Sequence, residues 1–239
     1  MDAERLRRKR QLAASLRIFH RLGFAEGAGG HVTARDPEHP SRFWVNALGR
    51  SFATARVRDL LLVDADGEVL AGEGRVNPAG FAIHSRLHRA RPDVVAAAHA
   101  HSVHGVAWST LGRPLDPISQ DACAFHHDHA VFDQYTGVVL DPAEGDRIAA
   151  CLGGRKAVVL RNHGLLTVGG SVAEAAWWFV SMDRCCRVQL LAEAAGTPVP
   201  IDEPAAVATA RVMGTPGMGV LNFKPLYAEV VHREPDLLD

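Results

Sequence analysis

Residues 90–102 read ARPDVVAAAHAHS, and residues 161–166 read RNHGLL. In the first stretch Pro92 stops a helix predicted over residues 79–91, and residues 94–101 follow as an apolar strand candidate. In the second stretch residues 162–164 lie between apolar runs at 157–160 and 165–168, which predicts two strands joined by a tight bend. The two stretches therefore predict buried strands that end close to histidines.

Helical and strand patterns continue outward from these two stretches. Ser171, with Glu174 three residues later, is predicted to cap a long helix that reaches about residue 195. The other predicted elements are helices at 3–23, 142–152 and 203–213, strands at 31–34, 43–45, 60–63 and 137–140, and an irregular end after residue 213. Mixed helices and strands predict an α/β layered domain. Because no repeat or low-complexity linker divides the chain, residues 1–239 are predicted to form a single domain with a tail at 197–239.

The composition excludes several classes of partner. Lys and Arg number 26 and Asp and Glu 27, so no electrostatic case exists for binding nucleic acid or an anionic membrane. No apolar run approaches the about 18 residues of a membrane span, and the N-terminus has no signal-peptide pattern. The four cysteines lack CxxC spacing, which favours reduced thiols. We therefore expect a cytoplasmic protein.

Histidine is abundant, with 13 residues, and three of these suggest a metal site. His99 and His101 are two residues apart at the end of a predicted strand, so their side chains point to the same face. His163 lies in the bend beside Gly164. Three imidazole ligands would leave coordination positions open, as in a catalytic metal site. From spacing alone, a pair of ordinary strand histidines is an equal alternative.

The quoted stretches resemble two motifs of the class II aldolase and adducin superfamily. Residues 90–102 resemble its RPD–HxH signature, and residues 161–166 resemble its later NHG motif, which supplies a third histidine ligand. The similarity extends over residues 8–196, with the motifs in the family's order. It implies a layered α/β/α sandwich with a central, largely antiparallel sheet, assembled as a homotetramer with active sites between subunits. It also implies that His99, His101 and His163 bind one divalent metal ion.

The sequence departs from the phosphosugar aldolases and epimerases of this family. Their acid/base glutamate follows a Pro-Ser-Ser segment, whereas the matching residues 77–80 here read NPAG and place Gly80 at the glutamate position. The phosphate-binding Gly-Asn turn reads Gly30-His31, and the Thr-Gly segment reads Leu48-Gly49. A glycine cannot move a proton, so the catalytic acid/base is unknown. The lost phosphate partners predict a non-phosphorylated substrate.

Five further residues are candidates for the substrate pocket. His31 replaces the phosphate-turn asparagine, and Phe81 adds apolar bulk next to Gly80. His84 lies on the same helix, where surface or interface histidines are the alternative interpretation. His126 and His129 belong to the segment FHHDHA, where exposed loop histidines are the alternative. The pocket prediction thus consists of His31, Phe81, His84, His126 and His129.

Two chemistries fit such a site. One is Lewis-acid polarisation of a carbonyl or carboxylate for C–C cleavage or decarboxylation. The other is Fe(II)-dependent oxygenation, as in the superfamily branch of non-haem iron oxygenases and decarboxylases of aminocoumarin biosynthesis, which the segments at 77–84 and 126–129 resemble. The metal would be Fe(II) or Zn(II), with Mn(II) as an alternative, and the substrate a small organic acid or carbonyl compound. A non-catalytic adducin-like interaction module and a phosphosugar aldolase or epimerase stay open as alternatives.

Overall fold

The computed structural model describes residues 3–25 and 27–239. Among these residues, eight strands form one sheet in the order β4-β3-β2-β1-β5-β8-β7-β6. Every neighbouring pair is antiparallel except β6 and β7, which confirms the predicted, largely antiparallel sheet. The strands are β1 His31–Arg35, β2 Phe43–Asn46, β3 Leu60–Val63, β4 Val69–Ala71, β5 Ala96–Ala100, β6 His129–Phe132, β7 Ala157–Leu160 and β8 Gly164–Gly169.

Helices cover both faces of this sheet. The bounds are α1 Ala3–Arg21, α2 Pro78–Ala90, α3 Val103–Ser109, α4 Pro142–Leu152, α5 Val172–Ala195, α6 Glu203–Met213 and α7 Pro216–Arg233. The central strand β5 is fully buried, and its alternate residues join different cores. Ala96, Ala98 and Ala100 pack into the core formed with α1 and α5, whereas Ala97 packs into the core formed with α2 and α4. His99 has the parity of Ala97, so its side chain lies on the α2 side of the sheet.

Local signals set the starts of α5 and α2, and the predicted cap at Ser171 is confirmed. Ser171 Oγ accepts a hydrogen bond from the Glu174 N–H at 3.2 Å. The Glu174 carboxylate accepts one from Ser171 Oγ at 2.9 Å and another from the Gly170 N–H. At α2, the Asn77 side chain accepts from the Ala79 N–H, and Pro78 occupies the first helical position, where its missing N–H is not needed.

The strand predicted at residues 137–140 was wrong. Residues 137–140 form no strand: 137–138 are a bend, with Val138 75% exposed and Gly137 at a φ of 109°. The strand in this region is β6, which begins at His129 in the FHHDHA segment, because residues 129–132 find a parallel partner in β7. Pairing with the distant strand β7, which the local sequence does not reveal, decided which residues form a strand here.

The chain after residue 213 was predicted to be irregular, and it forms the 18-residue helix α7. Its glycines and Pro225 give a weak local helix signal, but Phe223 and Val230 are almost completely buried in the core with α1 and α5. Arg17 in α1 also donates hydrogen bonds to Asp236 at 2.8 and 3.1 Å. None of the helices in the described ranges is long and apolar enough to cross a membrane.

Candidate metal centre

Three histidines meet at the end of the β5–β8 strand pair. His99 lies in β5, His101 follows that strand, and His163 lies in the loop between β7 and β8. This loop turns sharply, because Asn162 and Gly164 have positive φ values of 60° and 144°. The ring centroids are 4.8 Å apart for His99 and His163, 5.1 Å for His99 and His101, and 5.2 Å for His101 and His163. The structure thus brings the three predicted ligands together.

The surroundings of His99 leave one of its ring nitrogens available to a metal ion. Its Nδ1 lies 2.8 Å from the Leu165 carbonyl oxygen of the paired strand β8. A carbonyl only accepts hydrogen bonds, so Nδ1 carries the proton and Nε2 keeps a free lone pair. Burial, and then the charge of a protonated His163, lower the pKa of His99 well below its usual value. A neutral imidazole whose second nitrogen donates to a carbonyl is the usual state of a metal-binding histidine.

The arrangement fits a divalent transition metal. One ligand nitrogen from each of the three rings lies within 4.8 Å of the other two. Imidazoles that share one tetrahedral ion at about 2.0–2.1 Å have nitrogens about 3.3 Å apart, so small ring rotations would complete the site. Burial, and then His101, lower the pKa of His163 to about 4, so this ring is also neutral near pH 7. The set of three imidazoles suits zinc, iron, copper or nickel.

The histidines face a cavity of about 830 Å³. Its walls are mostly small or apolar, and among the described residues that line it none is Lys or Arg. Apart from the three histidines described above, His31 and Tyr135 are the titratable side chains in that lining. The apolar wall consists of Ala28, Ala79, Ile83, Val103, Val106, Ala107, Val138 and Val139.

His31 occupies the space next to Gly80. It lies directly opposite His99 in the β1–β5 pair, and the two rings stack with centroids 5.5 Å apart. A Cβ atom added at Gly80 would lie only 2.6 Å from His31 Nδ1. The imidazole therefore fills the volume that a side chain at position 80 would need. Burial, followed by the charges of neighbouring histidines, lowers the pKa of His31 well below its usual value, so the ring is neutral.

Phe81 and His84 do not line the cavity, which corrects the pocket prediction. Phe81 lies on the other side of α2, where its ring stacks on Phe43 at 6.1 Å. His84 is fully buried behind His31, and its Nδ1 lies 2.8 Å from Thr33 Oγ1. The same hydroxyl lies 2.9 Å from His88 Nε2, so these two histidines are neither surface nor interface residues. The helix that carries His84 was predicted, but not the depth at which α2 packs on β1.

His126 and His129 also lie away from the cavity lining, again correcting the prediction. His129 Nδ1 donates to the Phe125 carbonyl at 2.6 Å, and its Nε2 accepts from the Leu115 N–H at 2.9 Å. Both ring nitrogens are therefore used to hold two loops together. His126 pairs with Glu203 of α6, with Nε2 3.0 Å from the carboxylate.

Sequence reasoning missed the outer wall of the cavity. Val103 and Val106 belong to α3, a seven-residue helix for which no prediction was made. Tyr135 and Val138 lie in the segment after β6, and both are more than half exposed. The available signal was an apolar run beside a turn glycine, which was interpreted as a strand.

Residues 10–190 match the model of the family described as "Class II Aldolase and Adducin N-terminal domain". The chain therefore belongs to the class II aldolase and adducin family.

Two relatives have names that are more specific than the family description. The chain is 48% identical over 227 residues to "Decarboxylase NovR" of Streptomyces niveus, covering 94% of this chain and 84% of the relative. It is also 48% identical over 227 residues to a Streptomyces roseochromogenus subsp. oscitans protein named "4-hydroxy-3-prenylphenylpyruvate oxygenase/4-hydroxy-3-prenylbenzoate synthase", covering 94% and 82% of the two chains. Both relatives carry the names of enzymes.

A solved structure titled "L-fuculose 1-phosphate aldolase from Glaciozyma antarctica PI12" superposes with a TM-score of 0.92 at 42% identity. The match covers 99% of this chain and 93% of that chain. This title names a phosphorylated sugar as the substrate, in contrast to the names of the two Streptomyces relatives.

Proposed function

We propose that this chain is a metal-dependent enzyme that acts on an aromatic 2-keto or 2-hydroxy acid. The reaction would be C–C cleavage or decarboxylation. The observation that carries the proposal is the three-histidine cluster that lines a mostly apolar cavity, with His31 in place of a side chain at position 80. The names of the two relatives at 48% identity support the same reaction class.

His99, His101 and His163 would hold the metal ion. A divalent ion there would polarise a carbonyl or carboxylate, and iron(II) would also supply electron transfer to dioxygen. The apolar wall of Ile83, Val106 and Val139 would contact the aromatic part of the substrate and keep water from it. His31 presents a neutral imidazole that can donate or accept a hydrogen bond at the substrate.

We further propose that the metal is Fe(II) and that turnover consumes dioxygen, in line with the oxygenase named among the relatives. The test compares iron- and zinc-reconstituted protein, in air and under nitrogen, with 4-hydroxyphenylpyruvate and its 3-prenyl derivative. Oxygen uptake and carbon dioxide release should occur only with iron in air, since zinc has no redox chemistry. Full activity of the zinc form under nitrogen would show redox-neutral lyase chemistry instead.

A phosphosugar aldolase is the second candidate, because the similar solved structure carries that title. A phosphate dianion is usually held by Arg, Lys or several oriented N–H donors, and the described cavity lining has no Arg or Lys. We therefore expect negligible cleavage of L-fuculose 1-phosphate. Cleavage of this compound at a rate above that of the aryl keto acids would reverse the assignment.

We also propose that the chain folds as a single domain and assembles as a homotetramer in the cytoplasm. Val138 and Leu140 are 75% and 63% exposed near the cavity mouth, where a neighbouring subunit would cover them. The four cysteines are unbridged, which suits a reducing compartment. Light scattering during gel filtration would measure the assembly, and a monomer at micromolar concentration would contradict it.

A further inference from the structure

A second group of metal-ligating side chains lies at the contact between α6 and the turn before β6. His126 and His127 follow the 3-10 turn Ala122–Phe125, and Glu203 is the first residue of α6. His126 Nε2 lies 3.0 Å from one Glu203 carboxylate oxygen, and His127 Nε2 lies 2.9 Å from the other. None of the three lines the cavity of the three-histidine centre.

The backbone turns these consecutive histidines toward the same point. In an extended chain, neighbouring side chains point to opposite sides. His127 instead has a φ of 58°, which is uncommon for a residue other than glycine, and the two ring centroids are 4.0 Å apart. Both Nε2 atoms therefore face one carboxylate.

The ligand spacing fits a shared metal ion as well as the direct pairing of both histidines with Glu203. One ligand atom from each of the three residues lies within 4.8 Å of the other two. Two ligands of a tetrahedral zinc ion, each about 2.0–2.1 Å from the metal, are about 3.3 Å apart, close to the nitrogen–oxygen distances here. Two imidazoles and one carboxylate are a common zinc ligand set.

We propose that His126, His127 and Glu203 form a second divalent transition-metal site, suited to zinc, with water in the remaining position. The two histidines belong to the region that matches the family model, whereas Glu203 lies beyond its end at residue 190. An ion there would fasten α6, and with it the C-terminal segment, to the 122–127 turn. The site is independent of the chemistry proposed for the cavity.

The test counts zinc retained after metal-free protein is loaded and desalted. Wild type should retain two equivalents per chain, and His127→Gly should retain one. Glycine accepts the positive φ, so this variant removes a ligand without straining the turn. Glu203→Gln should also lose one equivalent, because an amide is a poor zinc ligand. His20→Ala, an exposed histidine in α1, is the matched control and should retain two.

The two metal sites are separated by a further pair of variants. His163→Ala should retain the one equivalent bound by the second site, and His163→Ala combined with His127→Gly should retain none. Zinc should also slow proteolysis of the 196–202 connection before α6 in wild type but not in His127→Gly. Equal zinc in wild type, His127→Gly and Glu203→Gln would overturn the proposal, and so would cleavage that zinc slows equally in wild type and His127→Gly.

Discussion

At the scale of single residues, His31 and Gly80 depend on each other. A side chain at position 80 would overlap the His31 ring, since its Cβ would lie 2.6 Å from Nδ1. Reintroducing a glutamate at this position therefore requires a smaller residue at 31. His31 thus takes the space that a side chain at position 80 would occupy.

Gly80→Glu should lower the free energy of unfolding by about 1–3 kcal/mol through overpacking. Adding His31→Asn should recover much of this loss, because the smaller side chain makes room and the two sites are in contact. Urea unfolding of the two single variants and the double variant measures this coupling. Gly217→Glu is the matched control, since a Cβ there meets nothing within 4 Å. Unchanged stability of Gly80→Glu would show that the His31 ring does not occupy this space.

The buried pair His84 and His88 should make the protein sensitive to acid. Burial lowers the pKa of both rings to about 3; the second cause is the charge of a protonated His88 for His84 and the charge of Arg35 for His88. In the unfolded chain each ring binds a proton below about pH 6.5, so between pH 6.5 and 3 the unfolded state binds more protons. The free energy of unfolding therefore decreases as the pH is lowered through this window, by about 2 kcal/mol per histidine from pH 7 to pH 5.

Denaturant titrations of wild type and His88→Gln at both pH values would measure this contribution. The variant should show a pH 7 to pH 5 difference that is smaller by about 2 kcal/mol, because its glutamine does not titrate. The same difference in both proteins would mean that His88 is not buried in its neutral form.

At the scale of elements, α7 shows that tertiary packing can stabilise a helix with weak local propensity. Its buried face contributes Phe223, only 2% exposed, to the core shared with α1 and α5. Phe223→Ala should lower the free energy of unfolding by about 3–5 kcal/mol. Leu221→Ala, at a position 55% exposed in the same helix, should change it by no more than about 0.5 kcal/mol.

Thermal unfolding followed by circular dichroism would check both variants. A single transition that moves to lower temperature in Phe223→Ala would support a C-terminal segment that unfolds with the rest of the chain. A separate early transition, with the main one unmoved, would contradict the proposed single domain.

At the scale of the whole molecule, metal binding should stabilise the fold. An ion at about 100 times its Kd adds about 2.7 kcal/mol, which for a chain of this size raises Tm by about 5–10 °C. The measurement is best made in a His127→Gly chain, so that the proposed second metal site does not contribute. Removing the metal with a chelator should lower Tm by this amount, and adding His163→Ala should abolish the shift. A shift that persists in the double variant would place the metal elsewhere.

Local sequence patterns predicted the central features of the fold and the candidate centre. The i, i+2 spacing of His99 and His101 puts both side chains on one face of a strand, and residues 162–164 predict a tight bend beside it. The cap at Ser171 and most helix and strand positions were also predictable. These features depend on backbone periodicity and on groups a few residues apart, which are local properties.

The contacts of the other candidate residues depend on long-range packing. His84 lies on the predicted helix, but packing of α2 on β1 brings it to Thr33 and away from the cavity. His129 belongs to a strand because β7 pairs with it, and His126 meets a carboxylate 77 positions later in the chain. Local patterns specify which way a side chain points from its own element. The neighbour that it meets depends on long-range pairing and layer packing, which arise only when the whole chain folds.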